Sequence, residues 1–125
     1  MGKLVCVNPD ATRDYEYEGA TFKIGVLKEA VALKVYELQN QEKPIEAILL
    51  ACRYGIKGHS GMVYEDGSEV PFETETDSKF GSKVSERTMM TYWTAFPEAV
   101  SEMAGEILKR GEGPKVRARR LERGG

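Results

Sequence analysis

Between residues 12 and 26 apolar and polar side chains change places at almost every step, and from Leu27 onward the repeat lengthens to three or four. A period of two belongs to strands and one near 3.6 to helices, so the chain is predicted to begin as β structure and continue as helix. LVCV, Leu4 to Val7, reads as a strand stopped by the turn-forming Asn8-Pro9-Asp10. In DYEYEGATFKIGV a hairpin follows: with Glu18-Gly19 as a two-residue turn, Tyr15 faces Phe22 and Tyr17 faces Ala20, and Ile24 and Val26 extend that face. An isolated hairpin is marginally stable, so its apolar side needs cover from later in the chain.

Helices supply that cover. Leu27, Val31, Val35 and Leu38 form one stripe, with Lys28, Glu29, Lys34 and Glu37 mostly outside it. Pro44 marks a second start, where its missing amide hydrogen costs nothing, and Ile45, Ile48, Leu49, Cys52 and Ile56 recur at helical spacing up to Gly55 or Gly58. SERTMMTYWTAF, Ser85 to Phe96, reads as a short helix with Met89, Tyr92, Trp93 and Phe96 on one side. Pro97 opens another, in which Val100, Met103, Ala104, Ile107 and Leu108 share a face while Glu98, Glu102 and Glu106 project away. Glu98 and the Lys109-Arg110 end both suit the helix dipole.

VYEDGSEVPFETETD, Val63 to Asp77, holds six acids that invite a metal-loop reading. An EF-hand loop needs oxygen ligands at alternate positions, then Gly, then a distal bidentate Glu, and Glu65, Asp66, Glu69, Glu73, Glu75 and Asp77 do not follow that spacing. Asp66-Gly67 instead signals a type I′ hairpin turn that sets Val63 opposite Val70. Pro71 makes the ribbon an edge, Phe72 anchors it, and the acids are solvated. The expected class is therefore α+β: a small antiparallel N-terminal β element packed by three to four helices, with a further hairpin near residues 62–72.

Composition narrows the partners. At 125 residues and 41% hydrophobic, one globular domain over residues 1–110 is the expectation. No apolar run approaches the roughly twenty residues of a membrane span, and MGKLVCVNPD has neither a signal-peptide core nor the Ser or Thr of a myristoylation motif, so the cytoplasm is the expected compartment. Cys6 and Cys52 make no disulfide framework and lack metal-ligand spacing; both read as small buried apolar residues. The net charge of -2 conceals a division, because residues 109–125 carry seven Lys or Arg against two Glu while the remainder carries eleven against eighteen. Residues 111–125 form a basic tail with only Val116 and Leu121 to bury, too little to offset the entropy of ordering it.

Chemistry finds little purchase. GIKGHSG, Gly55 to Gly61, lacks the Gly-Lys-Ser/Thr ending of a phosphate loop, and Met62 stands where a nucleophile elbow at Ser60 needs Gly. His59 is the sole histidine and adjoins Ser60, so the two side chains point apart and the stretch reads as a surface loop. No catalytic residue, metal ligand or cofactor is assigned, although a site of carboxylates and Tyr alone stays open. In the tail, Lys115, Arg117, Arg119, Arg120 and Arg123 can neutralise phosphates or tether an acidic protein; nucleic acid is not favoured, because no aromatic interrupts the run and the body is acidic.

YEGATFKIGVL, RYGIKGHSGMVYEDGSEVPF with Asp66, Gly67, Val70, Pro71 and Phe72, and FPEAVSEMAGEIL, taken in that order over residues 15–108, resemble the tail assembly chaperones of long-tailed bacteriophages. SERTMMTYW lengthens the segment between Phe72 and Pro97, where that family would carry a shorter acidic link. The resemblance implies a non-enzymatic protein that coats the tape measure protein and delivers it for tail tube assembly, self-associates, needs no cofactor, and often has a longer frameshifted product. Met89, Met90, Tyr92 and Trp93 are the expected contacts to the client, on the adaptability of Met and aromatic side chains, while Trp93 also reads as a core residue. A minor tail or connector protein and a small nucleic-acid-binding regulator are the other readings.

Overall fold

In the computed structural model, which describes residues 2–4, 6, 8 and 10–109, the hairpin predicted from alternation is present. Strands β1 (Thr12–Tyr17) and β2 (Ala20–Gly25) pair antiparallel with Tyr15 opposite Phe22 and Tyr17 opposite Ala20. Glu18 and Gly19 both take positive φ, 45° and 86°, as a type I′ turn requires. Val5 and Val7 of the predicted LVCV strand lie outside the described residues, and Leu4 and Cys6 belong to no strand.

Helix α1 (Glu29–Asn40) buries Val31 and Val35 as its stripe demands. It stops without glycine: Glu42 is left-handed at φ 59°, and the Lys43 amide reaches back to the Leu38 carbonyl at 2.9 Å, closing a Schellman motif. Helix α2 (Pro44–Gly55) starts at the predicted proline but turns a different face inward. Ala47, Ala51, Cys52, Tyr54 and Gly55 are buried, Ile48 and Leu49 are half-buried, and Ile45 is 54% exposed. Small residues on that face let another helix close in, since a Cβ on Gly55 would lie 2.5 Å from the Ile107 side chain.

Directly after Gly55 the chain becomes strand β3 (Ile56–Ser60), which corrects the expected surface loop. It pairs antiparallel with β2, His59 opposite Phe22, and a bulge at Lys57 brings Ile56 opposite Ile24. The sheet order is β1-β2-β3, one face covered by helices and the other polar. A second hairpin, β4 (Thr74–Asp77) and β5 (Gly81–Val84), occupies a segment to which the sequence pattern assigns no element. It docks on α2 through Arg53, whose guanidinium donates to the Val84 carbonyl at 2.9 Å and to Glu75 at 2.8 Å, and through Phe80, edge-on to Tyr54.

Helix α3 (Glu86–Ala95) begins at Ser85, whose hydroxyl accepts from the Thr88 amide at 3.1 Å. Phe96 leaves the helical region (φ -150°, ψ 69°) ahead of Pro97, and α4, residues 97–109, follows with Val100, Met103, Ala104 and Ile107 buried. Four helices with sheets of three and two strands make the class α+β.

Glu98 and Glu102 of α4 are exposed as expected and Glu106 is half-buried, but all three face the first hairpin. Glu98 accepts a hydrogen bond from the Tyr17 hydroxyl, Tyr15 lies within hydrogen-bonding reach of Glu102, and Glu106 pairs with Arg13. Every second residue of a strand advances about 6.6–6.8 Å and every fourth of a helix about 6 Å, so Arg13, Tyr15 and Tyr17 on β1 match the α4 glutamates nearly rung for rung. Hydrogen bonding to Glu98 holds the Tyr17 hydroxyl up at about 12, and burial does the same for Tyr15, so both remain donors. The same contacts hold the Glu98 and Glu106 carboxyls below their ordinary values.

Two outcomes follow. Glu42→Gly relieves the left-handed strain at an exposed helix end and raises stability by about 0.5–1 kcal/mol, read from the denaturant midpoint. Because Glu98 and Glu106 have depressed folded values, their contribution is present above the unfolded carboxyl range and lost as pH falls through the folded one. Glu106→Gln therefore costs at most about 1 kcal/mol at neutral pH and flattens the stability profile between about pH 5 and 3. Parallel profiles for the two proteins would show that the rung carries no stability.

Candidate polypeptide-binding surface

The ribbon after β3 is shaped by a turn one residue longer than Asp66-Gly67 suggests. The Gly67 amide donates to the Tyr64 carbonyl at 2.9 Å and the Tyr64 amide to the Ser68 carbonyl at 2.8 Å, leaving Glu65, Asp66 and Gly67 as a three-residue loop. Only Gly67, at φ 87°, is left-handed. Asp66 stays at negative φ because its carboxylate is taken by Ser68, accepting from its amide at 2.9 Å and from its hydroxyl. The register therefore moves: Val63 bridges Glu69 instead of facing Val70, and the Val70 amide bonds to the Met62 carbonyl at 3.1 Å. A shift of one reverses the faces of a strand. Val70 is buried and Met62 half-buried, while Val63 is 62% exposed and Tyr64 38% exposed beside it.

His59 pins this ribbon to the core. The Val70 carbonyl can only accept, so the Nε2 atom, 2.7 Å away, carries the proton and donates to it. In that tautomer Nδ1 accepts from the Tyr92 hydroxyl. Burial pushes the Tyr92 hydroxyl well above its ordinary range and keeps it a donor. Around the pair lie Phe22, edge-on to Tyr92 at 5.2 Å, Phe96, stacked on Tyr92 at 5.7 Å, and Phe72, edge-on to His59 at 5.3 Å. Phe72 anchors the ribbon as its sequence position implies. Gly61, at φ 80°, crosses the first hairpin so closely that a Cβ there would meet the Gly19 carbonyl oxygen at 2.7 Å.

The residues expected to touch a client divide between the two sides of α3. Met89 and Tyr92 are buried in the core, Trp93 is half-buried against it, and Met90 is 49% exposed. Thr91, Ala95 and Phe96 line a cavity with the ribbon that the α3 stripe alone does not suggest. The apolar groups open to solvent here, Val63 and Tyr64, sit in a turn region where no periodic signal marks them. Lys115, Arg117, Arg119, Arg120 and Arg123 lie outside the described residues.

Ser60 and His59 point to opposite faces of β3, His59 inward and Ser60 exposed. Among the described residues no group of three or more His, Cys, Asp or Glu converges as a metal site would, and no helix is long and apolar enough to cross a membrane. Cys52 is buried, its thiol pushed up to about 12 by burial and donating to the Val100 carbonyl. Cys6, expected to be buried, is exposed and belongs to no strand.

Tyr92→Phe leaves the acceptor on His59 unpaired and lowers stability by about 1 kcal/mol. Amide exchange at Val70 and Tyr64 quickens more than that of β2. Uniform quickening across the domain would show that the hydroxyl serves general packing and does not pin the ribbon. Comparison of the chain with protein-family models, with curated proteins and with solved structures returns no match.

Proposed function

We propose that this chain is a non-enzymatic chaperone of the kind long-tailed bacteriophages use in tail assembly, holding a tape measure protein soluble in the host cytoplasm until the tail tube forms around it. The observation that carries the reading is the solvent-open apolar surface at Val63 and Tyr64, built on the Asp66-Gly67-x-x-Val70-Pro71-Phe72 ribbon that also bears the family resemblance. An apolar side chain left in water beside a cavity gains free energy when another chain covers it, and this gain needs no chemistry at the site. Met90 adds a flexible thioether on α3, and Trp93 a partly open ring. Met89 and Tyr92 serve the surface from beneath, by holding α3 and the ribbon in place. Copies of the chain associate along the client and extend the coat, with the tail tube protein as a further partner.

Co-expression with the tape measure protein tests this. Val63→Glu with Met90→Glu changes exposed positions only, so the fold survives, as far-ultraviolet circular dichroism will verify, and the client moves from the soluble to the insoluble fraction. A client that stays soluble beside the folded double variant would remove these residues from the contact surface; one that is insoluble even beside the native chain would remove the function.

A further inference from the structure

Two cavities, of about 460 and 450 Å³, lie on either side of the ribbon and share Gly61, Met62, Val63 and Val70 as a common wall. Phe72 closes one side and Tyr17, Tyr64 and Phe96 the other, so the ribbon is flanked by two recesses with apolar walls, together termed the groove. Its rim has one sign of charge. Glu69 lines the first cavity and Glu18 and Glu65 the second, and among the described residues none of the three has an ion-pair partner. From Gly58 to Ser78 the sequence contains no Lys or Arg. The nearby acids that are neutralised, Glu75 by Arg53 and Asp77 by Lys83, belong to the second hairpin and not to the rim.

We infer that this groove binds polypeptide segments of the client in which aliphatic side chains are flanked by Lys or Arg. The inference rests on the chaperone reading and specifies which client segments the chain covers. Apolar walls alone would accept any greasy segment, and the rim decides among them, because a cation gains from uncompensated carboxylates while an acidic segment is repelled. The same charge turns away phosphate backbones and anionic lipid surfaces. The basic residues 111–125 of this chain have a related composition, but Glu122 directly follows Leu121 and would bring a like charge to the rim with the largest apolar side chain.

The experiment uses the full chain, isotopically labelled, and a short synthetic peptide of alternating Lys and Leu. Amide shifts concentrate at Val63, Tyr64, Ala95 and Phe96, and affinity falls as salt is raised. Replacing the peptide's Lys by Glu, or its Leu by Ser, abolishes binding. Glu65→Lys with Glu69→Lys, both exposed, leaves the thermal midpoint in place and weakens binding by about tenfold or more. Equal binding of the Glu peptide, or shifts centred elsewhere, overturns the proposal. So do groove resonances that move in the free protein when Arg117, Arg119 and Arg120 are changed to Glu, since the chain's own segment would then be the occupant. Co-expression separates the two claims. A charge-reversed chain that fails to bind the peptide yet keeps the client soluble overturns the groove and spares the chaperone reading, while peptide binding with no client held does the reverse.

Discussion

Phe22 sits at the centre of β2 with no exposure, and aromatic rings close on it from several directions: Tyr15 across the first hairpin, His59 across β3, Tyr92 from α3 and Phe96 from the break before α4. Burying such a ring is worth about 1.5–3 kcal/mol, and edge-to-face partners add to this. The architecture follows from satisfying it. A three-stranded sheet must hide one face, and no single element reaches all of β2, so helices distant in sequence are drawn to the same ring. Placing Tyr92 against Phe22 also sets its hydroxyl beside His59, and the ribbon position is thereby tied to the core.

That dependence explains what could be read from the sequence. The first hairpin was legible residue by residue, because Glu18-Gly19 and the alternation around it are local signals. The helix starts at Pro44 and Pro97 were legible for the same reason. Ile56–Ser60 was not, since Gly58 within it and Gly55 and Gly61 at its ends resemble a loop and its strand character comes from pairing with β2, more than thirty residues earlier. Thr74–Asp77 was hidden by acids on a hairpin that draws support from Arg53. The glutamates of α4 look solvated in any helical projection, and only the neighbouring strand reveals partners for them.

The expected client contacts show the same limit from the other side. A Met-aromatic cluster has identical periodicity whether it faces a core or a partner, so Met89 and Tyr92 cannot be told from Met90 and Trp93 by composition. Burial makes the distinction. The inward stripes of α3 and α4 are consumed, α3 against Phe22 and α4 against Gly55, and the apolar helical residues left open, Leu33, Ile45 and Met90, are single side chains on three different helices. Near the ribbon, further contact area comes from residues outside the regular elements.

The three-residue turn provides it. With both central residues left-handed, an Asp66-Gly67 turn would set Val63 against Val70 and carry both toward the body. Ser68 instead captures the Asp66 carboxylate, Gly67 alone becomes left-handed, and the alternation slips by one. Met62 and Val70 take the inward positions, and Val63 is left in solvent near carboxylates that have no ion-pair partner among the described residues. The Val63–Glu69 bridge lies within the ribbon, which is fastened to the body through His59, the buried Val70, Phe72 and the close crossing at Gly61, not through the β1-β2-β3 ladder. Segments held by few contacts open at lower cost than core strands. For the proposed function, a surface that fits differing stretches of a client is better placed on such a ribbon than on a rigid strand, and the side-chain capture that shifts the register is what puts an apolar residue there.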